Sequence, residues 1–181
     1  MITPAQEKYL GTLSDEEIVR IKLFDPRARE EGFKICEEVG KILSRSSLHY
    51  IGSSRLGIAG ENDIDISIVS SGSFDDELES LKRLYGEPTS FKPQRNWAEW
   101  KFKRNGFPVE LYLNGTLSPL LAEQIKTHEV LLQSPALAKE YEQLKLGAEG
   151  MKRREYMRKK YEFFNKIYGA APTQAKQDSL T

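Results

Sequence analysis

Hydrophobic and polar positions alternate in this chain with two periods, and the switches between them mark its elements. Asp63 to Val69 alternates strictly: Ile64, Ile66 and Ile68 face one way, Asp63, Asp65 and Ser67 the other. That is the period-two signature of a strand with one buried face. Leu48 to Ile51 reads as a shorter strand ending at Gly52-Ser53, and a glycine-containing connection leads on to Asn62. Trp97 to Arg104 and Phe107 to Leu113 form a further pair, joined by Asn105-Gly106. The dipeptide favours a type I′ turn, since both central positions need positive φ. A two-residue loop sets the register: Arg104 opposes Phe107, Phe102 opposes Val109, Lys101 opposes Glu110 and Trp100 opposes Leu111. Trp100, Phe102, Val109, Leu111 and Leu113 then share an apolar face. Glu99, Lys101, Lys103, Glu110 and Tyr112 share the polar one.

Elsewhere the period is helical. Ser14-Asp15-Glu16-Glu17 has capping-box spacing and opens a short helix into Ile18 and Ile21. Asp25-Pro26 starts a second helix, whose apolar stripe is Phe33, Cys36, Val39 or Gly40, and Leu43. Ser73 caps a third, carrying Leu78, Leu81 and Leu84. Beyond Asn114-Gly115 the pattern is helical almost to the end, with Pro119 and Pro135 beginning helices and Gly147 and Gly150 punctuating the last connection. Residues 169–181 have little to bury and read as a frayed tail. The expected architecture is α+β: a small mixed β-sheet flanked by helices, followed by a C-terminal helical segment. It forms a single domain over 1–168, with its core at about 21–114 and the helical part at about 115–168.

Composition narrows the function. The 181 residues are 39% hydrophobic, enough to bury a core and to exclude disorder for the bulk of the chain. Lys and Arg number 27, as do Asp and Glu, so the net charge is zero. A generic polyanion binder is excluded, and any phosphate-binding surface must be local. The single thiol, Cys36, allows no internal disulfide and reads as a buried core residue. His49 and His128, the only histidines, rule out a His-rich metal site and receive no role. No apolar run approaches the ~18 residues that span a membrane, and the N-terminus lacks the pattern of a signal peptide. A reducing, cytoplasmic setting is expected.

The chemistry concentrates on three acids. Asp63 and Asp65 lie two apart on a strand, so their carboxylates project from one face with Cα atoms roughly 7 Å apart. Two like charges ~5 Å apart repel by roughly 3 kcal/mol at an effective dielectric near 20. A bound divalent cation relieves that repulsion, and an all-carboxylate site suits Mg²⁺ or Mn²⁺. Glu110, on the polar face of a later strand, becomes a third ligand if that strand pairs beside 63–69. The plainer alternative is a cross-strand ion pair with Lys101. Gly52 allows close backbone approach to a phosphate, and the Ser53 hydroxyl can donate to its oxygens. Ser54 follows, and Arg55 is either a triphosphate contact or an ordinary surface arginine. A phosphate-cradling turn beside a carboxylate triad is what two-metal phosphoryl transfer requires.

These residues carry a resemblance. Ile51-Gly52-Ser53, Asp63-Ile64-Asp65-Ile66 and Val109-Glu110-Leu111 resemble the Gly-Ser…Asp-x-Asp…acidic pattern of the DNA polymerase beta-like nucleotidyltransferase superfamily. The runs IKLFDPRAREEGFKICEEVGKIL and YIGSSRLGIAG, with the later HEVLLQSPALAKEYEQLK and RREYMRKKYEFFNKI, resemble GrpB-family proteins, a branch of that superfamily, from about Ile21 to Ile167. Where that branch usually has Lys-Pro before a single Asp, this chain has Glu61-Asn62-Asp63-Ile64-Asp65 and so keeps all three carboxylates. The resemblance implies a nucleotidyltransferase fold. It also implies transfer of a nucleoside monophosphate from an NTP to a hydroxyl or phosphate acceptor, with pyrophosphate released and Mg²⁺ or Mn²⁺ as cofactor. The acceptor is a small molecule or an RNA end. The alternative is a non-catalytic nucleotide- or partner-binding module that retains the fold. Lys145, Tyr156 and Lys160 match the spaced Lys and Tyr…Lys positions of the GrpB-like pattern, which implies contacts to nucleotide phosphates. They belong to a basic stretch, Lys145 to Tyr168, in which eight Lys or Arg meet three Glu. That stretch reads either as a basic wall over the active site or as a solvated helix whose aromatics pack inward.

Overall fold

The computed structural model describes residues 2–14 and 16–170, the last three by backbone alone. Five strands form one mixed sheet: β1 (Ser47–Ile51), β2 (Ile64–Val69), β3 (Ser90–Lys92), β4 (Trp97–Arg104) and β5 (Phe107–Asn114). Their order across the sheet is β1-β2-β5-β4-β3. The β2–β5 pair is parallel and the other pairs are antiparallel. The α+β architecture expected from the pattern is the one found. The Asn105-Gly106 turn has both φ values positive, at 49° and 88°. It produces the expected register, with Lys101 opposite Glu110 and Trp100 opposite Leu111. The short β3 carries too little alternation to be anticipated.

Among the described residues there are seven α-helices: α1 (Pro4–Leu10), α2 (Pro26–Ile42), α3 (Gly52–Leu56), α4 (Phe74–Tyr85), α5 (Pro119–Gln133), α6 (Pro135–Leu146) and α7 (Arg153–Ala170). Their starts follow sequence chemistry. Asp25, Ser73, Ser118 and Ser134 each accept a backbone N–H of the first turn, and α2, α5 and α6 begin with proline. The apolar sheet face, with Ile64, Ile66, Ile68, Val109, Leu111, Leu113 and Trp100, packs against α2 and α4 through Ile35, Val39, Leu78 and Leu81. A second cluster joins the C-terminal helices through Leu131, Tyr141, Phe163 and Ile167.

Four local expectations are corrected. Residues 16–22 form no helix, and Asp15 of the anticipated capping box lies outside the described residues. The segment is an extended strap: Val19 pairs with Gly150 and Met151, and Lys22 exchanges two hydrogen bonds with Gly60 at 2.7 and 3.0 Å. Those tertiary bonds satisfy the backbone that a helix would otherwise have to pair. The capping box sits earlier instead, at Thr3 and Gln6 of α1. On α2 the buried stripe is Ala28, Gly32, Ile35 and Val39, while Phe33 is half exposed and Cys36 only partly buried. The rotation follows from Gly32, where any side chain would overlap the Tyr50 ring. On α4, Leu84 is exposed rather than part of the core. The tail expected from 169 begins inside α7, and 171–181 lie outside the described residues.

Candidate active site

Register brings the acids together. The parallel β2–β5 pairing sets Asp65 directly beside Glu110, and Asp63 lies just before β2 begins. Antiparallel pairing sets Ile51 beside Asp65 on the other side. The chain leaves β1 there through Gly52, with φ of 89°. A Cβ at Gly52 would stand 2.5 Å from Asp65 Oδ2, so glycine is required both for conformation and for space. One acid side chain thus lies flat against the backbone of the turn. His128, left without a role by the sequence, reaches the same turn from α5 by a hydrogen bond to the Gly52 backbone. Its Nε2 is buried without a partner, and burial pushes its pKa down to about 4. Nothing in the spacing of a lone histidine could have signalled this contact.

The carboxylates differ in their surroundings. Asp65 is held well above the ordinary carboxylate range, first by burial and then by the charges of Asp63 and Glu110; Lys160 and Lys145 oppose the shift. Asp63 is raised by burial and by Glu61, again against Lys145 and Lys160. Glu110 behaves in the opposite way. Burial works to raise it, but the Tyr112 hydroxyl and the Lys101 ammonium bring it below its usual value. Lys101 Nζ stands 2.9 Å from Glu110 Oε1, while Tyr112 donates to Oε2. Among the described residues, no three His, Cys, Asp or Glu side chains are grouped so as to hold a metal ion. The three carboxylates are neighbours, but Glu110 is engaged elsewhere.

Two amines face the aspartates. Lys145, from the last turn of α6, is buried, with its Nζ 2.9 Å from the Tyr156 hydroxyl and 5.1 Å above the Tyr141 ring. Lys160, one turn further along α7 than Tyr156, is held above its ordinary value by Tyr141 first and then by Tyr156, Asp65 and Asp63. Ser53 lies close by: a side chain at Gly60 would overlap its hydroxyl and come 3.7 Å from Lys145 Nζ. Gly52, Ser53, Asp63, Asp65, Lys145, Tyr156 and Lys160 therefore form one neighbourhood. Two expected members are turned away. The Ser54 hydroxyl donates to the Asp63 carbonyl, which fixes the loop instead of facing a ligand. The Arg55 guanidinium lies 5.0 Å over the Phe33 ring, on the side of α2 and α5, held there by a cation–π contact.

The basic stretch resolves into pairs. Arg153 grips Glu61 and Glu17, Arg158 grips Glu7, Lys159 meets Glu155, and Lys166 meets Glu140. Arg154 donates to the Leu13 carbonyl. A continuous basic wall is thus not what α7 presents. Its cations tie the N-terminal strap and α1 to the helical part, and Lys160 with Lys145 remains beside the carboxylates.

The GrpB protein family matches residues 18–170. The chain belongs to the GrpB family. A crystal structure of the conserved protein GrpB from Enterococcus faecalis shares its fold, with a TM-score of 0.59 at 13% identity, over 82% of this chain and 99% of that one. Two looser likenesses are a cytoplasmic RNA terminal U-transferase (TM-score 0.49, 11% identity) and the Cid1 poly(U) polymerase bound to MgGTP (0.46, 14%). Each is matched by 77% of this chain, which spans 42% and 44% of their lengths. At those scores neither bears on function here. No curated protein matches the chain. Among the described residues, no helix of this GrpB-family chain is long and apolar enough to cross a membrane.

Proposed function

We propose that this GrpB-family chain is a nucleotidyltransferase. It would move a nucleoside monophosphate from an NTP to a hydroxyl or phosphate acceptor and release pyrophosphate. The observation that carries the reading is the facing arrangement: Asp65 beside Glu110 on parallel strands, Asp63 two residues away, and Lys145 and Lys160 across from them. Acids and amines separated in this way divide the labour of phosphoryl transfer. Lys145 and Lys160 would bind the phosphate oxyanions. Ser53, next to Lys145, would donate to them, and Gly52 lets them approach the backbone.

By its chemistry, three carboxylates, the donor set suits a hard divalent cation once Glu110 turns from Lys101 toward the aspartates. Asp63 and Asp65 offer carboxylate oxygens in mutual repulsion, without an ion-pair partner of their own among the described residues, and Glu110 is their strand neighbour. Asp63, Asp65 and Glu110 would hold Mg²⁺ or Mn²⁺, which when bound supplies charge to polarise the α-phosphate and to stabilise the leaving pyrophosphate. Glu110, kept ionised by its neighbours, would take the proton of the acceptor hydroxyl.

The test is thermal. A ligand at a hundred times its Kd adds about 2.7 kcal/mol, or about 5–10 °C for a chain of this size. Mn²⁺ with an NTP should produce such a shift in the wild type and not in Asp63→Asn/Asp65→Asn. An equal shift in both proteins would overturn the reading. A second reading, a nucleotide-binding module without catalysis, is favoured by the engagement of Glu110 with Lys101 and Tyr112. NTP binding that persists without all three carboxylates, and without pyrophosphate release, would establish it instead.

A further inference from the structure

Lys101 owes its place to the hairpin. The Asn105-Gly106 turn fixes the β4–β5 register, and that register puts Lys101 opposite Glu110. Its ammonium has two berths on the same sheet face: Glu110 Oε1 at 2.9 Å and Glu99 Oε1 at 3.3 Å. The backbone N–H of Lys101 donates to the Thr89 hydroxyl at 2.9 Å, so the main chain is anchored while the side chain is half exposed. Both oxygens of Glu110 are therefore taken, one by Lys101 and the other by Tyr112. Asp65, its partner on β2, has no ion pair among the described residues.

We infer that Lys101 is the resident counter-ion of the carboxylate site and yields Glu110 to a divalent cation by moving to Glu99. The inference rests on the nucleotidyltransferase reading and adds to it a residue that sets how readily the third carboxylate joins the other two. Three features carry it. Glu110 is the only one of the three acids that is neutralised within the described residues, so it is the one a metal must compete for. The competitor need not go back to water, because Glu99, mostly buried, already lies within ion-pair range. Tyr112 can keep its hydrogen bond to one oxygen while the other turns toward the aspartates. The device favours a doubly charged cation over a single one, since only the former repays the displacement of an ammonium.

Equilibrium Mn²⁺ binding, followed by electron paramagnetic resonance on the intact chain without nucleotide, tests it. Lys101→Met should bind Mn²⁺ about fivefold more tightly than the wild type, the size expected for release of one partly exposed ion pair. Lys101→Gln, which retains polarity, should do the same. Lys103→Met removes an equal charge from the same strand face and should change affinity by less than about twofold. In a Glu110→Gln background the gain from Lys101→Met should vanish. Unchanged or weaker binding by both Lys101 variants, or an equal gain from Lys103→Met, overturns the counter-ion role while leaving the metal reading intact. No Mn²⁺ bound by any of the proteins overturns both.

Discussion

The two ends of the carboxylate row are built from the same side-chain chemistry and end in opposite electrostatic states. At the β2 end, Asp63 and Asp65 lie two residues apart, largely buried, and are opposed by the more distant Lys145 and Lys160; their pKa values are raised. At the β5 end, Glu110 has a lysine and a tyrosine within hydrogen-bond range, and its pKa is lowered. One end stores repulsion and the other has dissipated it. A structural protein gains nothing from the first arrangement, which costs stability whenever both acids are ionised. A protein that binds cations gains affinity from it.

The contrast can be broken in several places. The largest effect belongs to Asp65→Asn, which should abolish Mn²⁺-dependent NTP stabilisation while making the chain without cation more stable, by on the order of 1 kcal/mol. Between the ordinary carboxylate value and the raised one, the folded chain holds more protons than the unfolded chain. The contribution of Asp65 to stability therefore falls as pH rises across that window, and chemical denaturation across the acid range should show the loss in wild type and not in Asp65→Asn. Gly52→Ala comes next. The new Cβ would stand 2.5 Å from Asp65 Oδ2 at φ of 89°, costing about 1–3 kcal/mol and weakening Mn²⁺ binding. Gly106→Ala is its control: φ is 88°, nothing lies within 4 Å, and about 1 kcal/mol should be lost with metal binding untouched.

Glu110→Gln sharpens the comparison from the other side. It should cost about 1 kcal/mol at neutral pH through loss of the Lys101 and Tyr112 contacts. Because its folded pKa is depressed, that contribution is present above the unfolded value and disappears as pH falls through the folded one. The pH profiles of Asp65→Asn and Glu110→Gln, each taken relative to wild type, should have opposite slopes. The smallest effect is expected for Arg158→Ala, whose pair with Glu7 is exposed; thermal stability should scarcely move and NTP binding not at all.

How much of this was legible beforehand depended on whether short-range rules governed it. Period-two alternation located Asp63 to Val69, and the Asn105-Gly106 turn fixed which residue of β4 faces Glu110. Prolines and Ser or Asp caps marked α2, α4, α5 and α6. The strap at 16–22 was misread because a local capping signal at Ser14 lost to hydrogen bonds with Gly60 and Met151, residues far along the chain. The α2 face was rotated by a contact of Gly32 with a ring on another element. At the site, the carboxylates and Lys145, Tyr156 and Lys160 were anticipated together, the latter three through the family pattern. Ser54 and Arg55 were carried along only by adjacency to Ser53, and the first turn of α3 points them elsewhere. The bond from His128 to Gly52 had no sequence signature, since it joins α5 to the turn across the fold. The charge count of α7 suggested a wall, but the partners of Arg153, Arg154, Arg158 and Lys166 lay on other parts of the chain.

The proposed function stands or falls with a cation site at Asp63 and Asp65 facing the amines of Lys145 and Lys160. Its most direct test is Mn²⁺ binding by the wild-type chain and by Asp65→Asn, each with and without a non-hydrolysable NTP analogue. The wild type should bind Mn²⁺, the analogue should tighten this binding at least tenfold, and Asp65→Asn should show neither effect. Equal Mn²⁺ binding by the two proteins, or binding indifferent to the nucleotide, would contradict it.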